Sequence, residues 1–205
     1  MKTIFDQHAD YWLAKTGIPH KLNDLLIPYF DKNLTVMDLG CGGGRLSVSF
    51  LPHFSKVCAI DISNDLVEKA AKQHPEVEFL CGDFQSQNTW NNLPQFDLIV
   101  SNCVVRKDRC DLNKVVSICR QYTKNMIFRI QSVADLDFLP LSLRQELFYD
   151  RNELEKLGFC VIEDNYKQRF STQDYVLKFL SRIGIQHTHS VPISIMRRYH
   201  IATIK

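Results

Sequence analysis

The residues of this chain best suited to chemistry are a glycine-rich turn and two acids placed before and after it. Gly40-Cys41-Gly42-Gly43-Gly44 follows the apolar run Leu34–Leu39 and leads straight into the helical pattern Leu46–Phe54. Glycine is needed where a Cβ would block a tight turn or the approach of a ligand to the backbone. Such runs also occur in ordinary turns, so this one does not define a site by itself. Asp61 closes the next apolar run, about twenty residues on, where a doubly wound sheet sets a carboxylate against ribose hydroxyls. Asp38 lies inside the first run, two residues before Gly40. A carboxylate is costly to bury there unless a positive group compensates it.

These features separate two classes of ribose-bearing ligand. A nicotinamide dinucleotide brings a pyrophosphate to the helix N-terminus, where an acid is unwelcome, and the third glycine of its G-x-G-x-x-G turn is replaced here by Arg45. S-adenosylmethionine instead brings a positive α-amino group and a sulfonium, which an acid at Asp38 suits.

The elements that must position these residues follow an alternating plan. Candidate strands are Leu34–Leu39, Val57–Asp61, Val77–Cys81, Phe96–Asn102 and Met126–Gln131, too continuously apolar for a sheet with one wet face. Between them, Ser63–Gln73 and Asp111–Tyr122 carry capped helical stripes. The expected fold is therefore α/β with a doubly wound, mostly parallel sheet. Asp150-Arg151-Asn152-Glu153 opens a short helix with capping-box spacing that closes at Gly158. A strand at Cys160–Tyr166, a helix from Ser171 to Gly184 and a last strand at Tyr199–Ile204 complete the order, and Phe5–Phe30 reads as one or two helices broken by Gly17 and Pro19.

Val36-Met37-Asp38-Leu39-Gly40-Cys41-Gly42-Gly43-Gly44 resembles the first motif of the class I S-adenosylmethionine-dependent methyltransferases. Ala59-Ile60-Asp61-Ile62-Ser63 is similar to their second motif, whose acid binds the ribose, and Cys81-Gly82-Asp83-Phe84 to the third, whose acid meets the adenine amino group. Phe96–Asn102 resembles the fourth-strand motif. The resemblance implies seven strands with a C-terminal antiparallel hairpin, and a cofactor, S-adenosylmethionine, that leaves as S-adenosylhomocysteine. It implies cofactor contacts at Asp38, Gly40, Cys41, Gly42, Asp61, Ile62, Asp83, Phe84 and Asn102. The flanks are more loosely similar to the biotin-pathway malonyl-carrier and trans-aconitate methyltransferases. There Phe5–Trp12 matches an N-terminal helical cap that sets Tyr11 near the sulfonium, and Phe170–Gly184 matches a lid helix inserted before the last strand; simple helix packing is the other reading of Tyr11. The expected organisation is one domain, 1–205, with a cap at 1–33, a cofactor-binding core at 34–131, and a substrate-side and hairpin region at 132–205 whose lid helix spans about 171–184.

In a doubly wound sheet the reactive crevice lies beyond the carboxyl ends of the strands, which points to Asn102, Cys103, Arg106, Arg129 and Gln131. Asn102 is expected to hold cofactor or acceptor. Arg106 stands where many small-molecule relatives carry histidine or leucine; it cannot act as a base, but it can clamp a carboxylate or phosphate, or be a solvated loop charge. Arg129 can face substrate or pair with an acid of the fold. Methyl transfer needs alignment of the acceptor and exclusion of water more than a dedicated base.

Composition narrows the partners. The chain has 205 residues and a formal net charge of +2, too balanced to imply a polyanion. No run approaches the ~20 apolar residues of a membrane span, and no signal-peptide core follows Met1, so a cytoplasmic location is expected. Seven cysteines in an odd, unpaired pattern read as reduced core thiols. His187 and His189 lack supporting ligands at metal spacing, so no metal is expected. The expected function is methylation of an oxygen, nitrogen or carbon on a small acceptor, by a monomer or homodimer. An RNA or protein methyltransferase is the alternative, kept open by a basic face of Lys167, Arg169, Arg182, Arg197 and Arg198. So is a non-catalytic cofactor-binding subunit of the same fold.

Overall fold

The computed structural model describes residues 19–169, 173–182, 185 and 194–204. Pro19 starts α1 (His20–Leu26), and a 3-10 turn (Ile27–Tyr29) leads into β1 (Asp31–Leu39). Then follow α2 (Arg45–Phe50), β2 (Phe54–Asp61), α3 (Asn64–Gln73), β3 (Glu78–Cys81), α4 (Gln87–Trp90) and β4 (Leu98–Asn102). The second half holds α5 (Leu112–Cys119), β5 (Met126–Gln131), α6 (Leu141–Leu147), α7 (Arg151–Lys156), β6 (Cys160–Arg169), α8 (Gln173–Arg182) and β7 (Ser194–Ile204). The predicted caps form: the Ser63 hydroxyl accepts Leu66 N–H, the Asp111 carboxylate accepts Lys114 N–H, and Asp150 and Glu153 close a reciprocal capping box. The N-terminal cap at Phe5–Trp12, with Tyr11, lies outside the described residues, as do both ends of the expected lid helix.

The seven strands run in the order β3-β2-β1-β4-β5-β7-β6. Five are parallel neighbours, and β7 runs antiparallel between β5 and β6. The expected mostly parallel sheet with an antiparallel C-terminal pair is therefore the observed one. The pair is longer than its apolar pattern indicates. β6 and β7 stay paired from Cys160↔Thr203 out to Arg169↔Ser194, whereas β5 pairs with β7 only up to Gln131↔Tyr199. The ribbon thus continues past the β5 pairing, where β6 reads Asn165-Tyr166-Lys167-Gln168-Arg169, with no apolar alternation for a sequence reading to find.

Alternate residues of each strand feed two cores. Met37, Leu39, Ile60, Ile99 and Phe128 pack against α5 and α7, while Val36, Ala59, Leu98 and Ile201 pack against α1 and α2. A third cluster joins Leu136, Leu139, Leu147 and Phe148 to Leu180 of α8 and to Ile185. The chain leaves β1 toward β2 and β3 on one side and returns to β4 on the other, so the sheet's switch point lies between β1 and β4. Strand register brings Leu39, Ile60 and Ser101 to the same level, and the glycine turn emerges there.

One buried group sits badly. His200 on β7 is 5% exposed, and neither ring nitrogen has a hydrogen-bond partner. Burial holds its pKa below the ordinary 6.5; Glu163 opposes this, Arg151 adds to it, and Asp150 and Glu155 oppose it further. Below pH 6.5 the unfolded chain takes up a proton that folded His200 resists, so stability falls as pH drops through that range. Replacing His200 with Leu is expected to raise the melting temperature by roughly 2–10 °C, given about 1–3 kcal/mol for orphaned polar groups. The gain should be larger at pH 5.5 than at pH 8. Thermal melts at the two pH values check it, and a variant no more stable at either would contradict the assignment.

Candidate functional site

Backbone geometry explains why glycines build the turn after β1. Gly40 has φ +68°, and a Cβ there would overlap the Val104 side chain, so the turn needs both the conformation and the close approach. Gly40 and Cys41 both donate N–H to the Ile60 carbonyl, at 2.8 and 3.0 Å, which ties the turn to β2. Gly42, at φ +54°, is different: a Cβ there would meet nothing within 4 Å. Its open side is where a ligand can lie against bare backbone.

The acids sit at the ends of the strands around that opening. Asp61 ends β2 and accepts Gly42 N–H at 2.8 Å through one oxygen and Ser63 N–H at 2.9 Å through the other. It therefore shapes the turn as well as facing it, a role that spacing alone does not reveal. Asp38 is fully enclosed in β1, and its Oδ2 accepts the Ser47 hydroxyl of α2 at 2.6 Å. Burial pushes its carboxyl up to about 7; the Ser47 bond opposes this and the charge on Asp61 reinforces it. A positive group arriving beside Asp38 would relieve that cost. Cys41 is buried, and burial followed by the charges of Asp38 and Asp61 raises its thiol pKa well above the ordinary range, so it packs as a neutral thiol.

Beyond β2 and β3 the acid-bearing loops carry an exposed apolar side chain and a third acid. Ile62 is 51% exposed directly after Asp61, an apolar side chain left open at the sheet's carboxyl end. Asp83 is half-buried and accepts Gln85 N–H at 2.9 Å, and Phe84 is buried with its carbonyl held by Trp90 Nε1 at 2.9 Å.

The arginines beyond β4 and β5 are placed differently from a solvated reading. Arg106 is buried rather than solvated, and its Nε and Nη2 donate to the two oxygens of Asp108 at 2.9 and 2.7 Å. Arg129 is buried too, paired at 2.6 Å with Asp164 of β6, and it donates to Cys103 Sγ at 2.9 Å and lies 3.5 Å from Asn102 Oδ1. Gln131 donates to Asp135, a fully buried acid that also accepts Arg197 and the Arg198 backbone. The proposed basic face is thereby reduced: Arg197 is internal, Arg198 pairs with Asp137, and the side chains of Lys167 and Arg169 lie outside the described residues. The cysteines also need correction as a group, because Cys81 and Cys160 are exposed and Cys103 is half-exposed, while the other four are core thiols. His187 and His189 lie outside the described residues.

A family model described as a methyltransferase domain matches residues 30–182. The chain belongs to that methyltransferase-domain family. The match covers β1 to the end of α8, with the glycine turn and all three acids inside it. Among curated relatives, the malonyl-[acyl-carrier protein] O-methyltransferase of Priestia megaterium is 31% identical over 111 residues, which are 50% of this chain and 39% of that protein. A ubiquinone biosynthesis O-methyltransferase of Coxiella burnetii is 31% identical over 104 residues, 46% of this chain and 44% of its own length. The matches thus span less than half of these relatives. Among solved structures, the YcgJ protein of Bacillus subtilis superposes with a TM-score of 0.64 at 17% identity, covering 91% of this chain and 99% of that one. The N-methyltransferase NodS of Bradyrhizobium japonicum, in complex with S-adenosylhomocysteine, does so with a TM-score of 0.59 at 12% identity over 97% of this chain and 99% of that one. Membership makes S-adenosylmethionine the cofactor to test against the residues present. They fit it: the methyltransferase-domain turn has an open glycine, a buried acid awaiting positive charge, and a second acid at the edge of the same opening.

Proposed function

We propose that this methyltransferase-domain chain transfers a methyl group from S-adenosylmethionine to an oxygen, nitrogen or carbon nucleophile of a small metabolite. One observation supports it above the others: Asp38, bonded to Ser47 behind the glycine turn, is a buried acid whose charge is disfavoured in the free protein and welcomed by a positively charged ligand. In this reading Gly40, Cys41 and Gly42 cradle the amino-acid part of the cofactor, Asp61 takes the ribose hydroxyls, and Ile62, Asp83 and Phe84 take the adenine. Tyr11 closes the sulfonium end, and Asn102 and Arg106 position the acceptor. The pairing of Arg106 with Asp108 lowers its value as a clamp for an anionic acceptor, because the guanidinium already has its carboxylate.

When bound, the cofactor supplies an electrophilic methyl group. The chain's own task is to orient the acceptor, hold it and keep water out. The same proposal takes residues 34–131 as the cofactor-binding core of a single domain, with the cap before it and the substrate side after it. Free cysteines favour a reducing compartment, the cytoplasm. No helix among the described residues is long and apolar enough to cross a membrane.

The test is a screen of small carboxylic acids, phenols and amines for acceptor-dependent release of S-adenosylhomocysteine by the purified chain. Release that requires one class of acceptor is expected. Cofactor binding without release from any acceptor would favour a non-catalytic cofactor-binding subunit.

A further inference from the structure

The turn after β4 is gripped by a side chain that the proposed reaction has not used. Arg129 is 4% exposed, and its guanidinium reaches three neighbouring elements at once. Nε donates to Asp164 on β6 at 2.6 Å, Nη1 donates to Cys103 Sγ at 2.9 Å, and the plane lies over the Tyr199 ring of β7, 3.6 Å from its centroid. The Arg129 carbonyl accepts Cys103 N–H at 2.7 Å. Cys103 needs this grip, because its φ of +63° lies in a region that a residue with a Cβ seldom adopts. The next residue, Val104, is the one that presses on Gly40. A continuous line of contacts therefore runs from Arg129 through Cys103 and Val104 to the glycine turn.

We propose, resting on the methyltransferase reading above, that Arg129 is a positioning residue: its forked hold on Asp164 and Cys103 sets the β4 turn against the glycine turn and so fixes the crevice between Asn102 and Gly42. Charge is not what it contributes, since Asp164 balances it. The fork is. A lysine can pair with Asp164, but a single ammonium has neither the second arm for Cys103 nor a plane for Tyr199.

The experiment compares the wild-type chain with Arg129→Lys and Cys103→Gly, using S-adenosylhomocysteine as the probe in calorimetry. Iodoacetamide labelling of Cys103, located by mass spectrometry, is measured on the ligand-free proteins, with exposed Cys160 as the internal reference. Arg129→Lys is expected to fold with a lowered melting temperature, to bind about tenfold more weakly as the β4 turn loosens, and to label faster at Cys103. Cys103→Gly, which suits the backbone, should be at least as stable as wild type and yet bind more weakly. If lysine restores wild-type affinity and labelling, Arg129 is only a buried charge partner and the proposal is overturned. If Arg129→Lys does not fold, Cys103→Gly decides, and unchanged affinity in it overturns the proposal. A wild-type chain that binds no probe removes the methyltransferase reading and this proposal together; wild-type binding with both variants unchanged removes this proposal alone.

Discussion

Replacing Asp38 with Asn is expected to stabilise the free protein at pH 8 and to weaken S-adenosylhomocysteine binding by roughly tenfold or more, the worth of one charge-assisted contact. The two effects share a cause. The Asp38 carboxyl is pushed up to about 7 from an ordinary 3.8, chiefly by burial. Between those pH values the folded chain keeps a proton that the unfolded chain has released. Stability therefore falls as pH rises through that window, and the full loss is present above about pH 7. An asparagine carries no such loss and can still accept the Ser47 hydroxyl, so the melting temperature at pH 8 should rise by several degrees for a gain on the order of a few kcal/mol. The ligand's α-amino group reverses the balance by favouring the ionised acid. Wild-type affinity should accordingly fall as pH drops below 7, while that of Asp38→Asn should not. Melts at pH 8 and titrations at pH 6 and 8 check both parts; a variant that binds as tightly as wild type with the same pH profile would refute the role of Asp38.

Asp61→Ala carries the second large effect. On spacing alone it removes a carboxylate from the ribose. The structure adds that the same carboxylate accepts Gly42 N–H and Ser63 N–H, so its loss also frees the glycine turn and the start of α3. The ribose contact, at about 1.5–3 kcal/mol, puts the expected loss of affinity at roughly ten- to a hundredfold, and the two internal bonds add a lower melting temperature. Asp61→Asn should not rescue it, because its amide presents hydrogens to one of the two backbone N–H donors. An unchanged dissociation constant in Asp61→Ala would remove Asp61 from the cofactor site.

How far the site can be read from sequence follows the range of the interactions. The glycine turn, Asp38, Asp61 and Asp83 announce themselves because each sits at a strand end, and strand ends show in the apolar pattern. Parallel register then brings their strands' carboxyl ends to one edge of the sheet. The partners that tune them do not show. Arg129–Asp164 and Arg197–Asp135 join residues 35 and 62 positions apart, brought together only because β7 inserts between β5 and β6. Arg106–Asp108 is local but has no periodicity to mark it. α4 and α6 pass unnoticed for the same reason, being short helices with a single buried residue each, Trp90 and Leu147. Long elements and strand ends are legible in one dimension; a charge's partner is decided in three.

The most direct test of the central claim is a calorimetric titration of the wild-type chain with S-adenosylmethionine at pH 8, repeated at pH 6. A cofactor bound one to one beside a buried acid predicts a single binding isotherm at pH 8 and weaker binding at pH 6. No heat of binding at either pH would contradict the account, and so would an affinity indifferent both to pH and to Asp38→Asn.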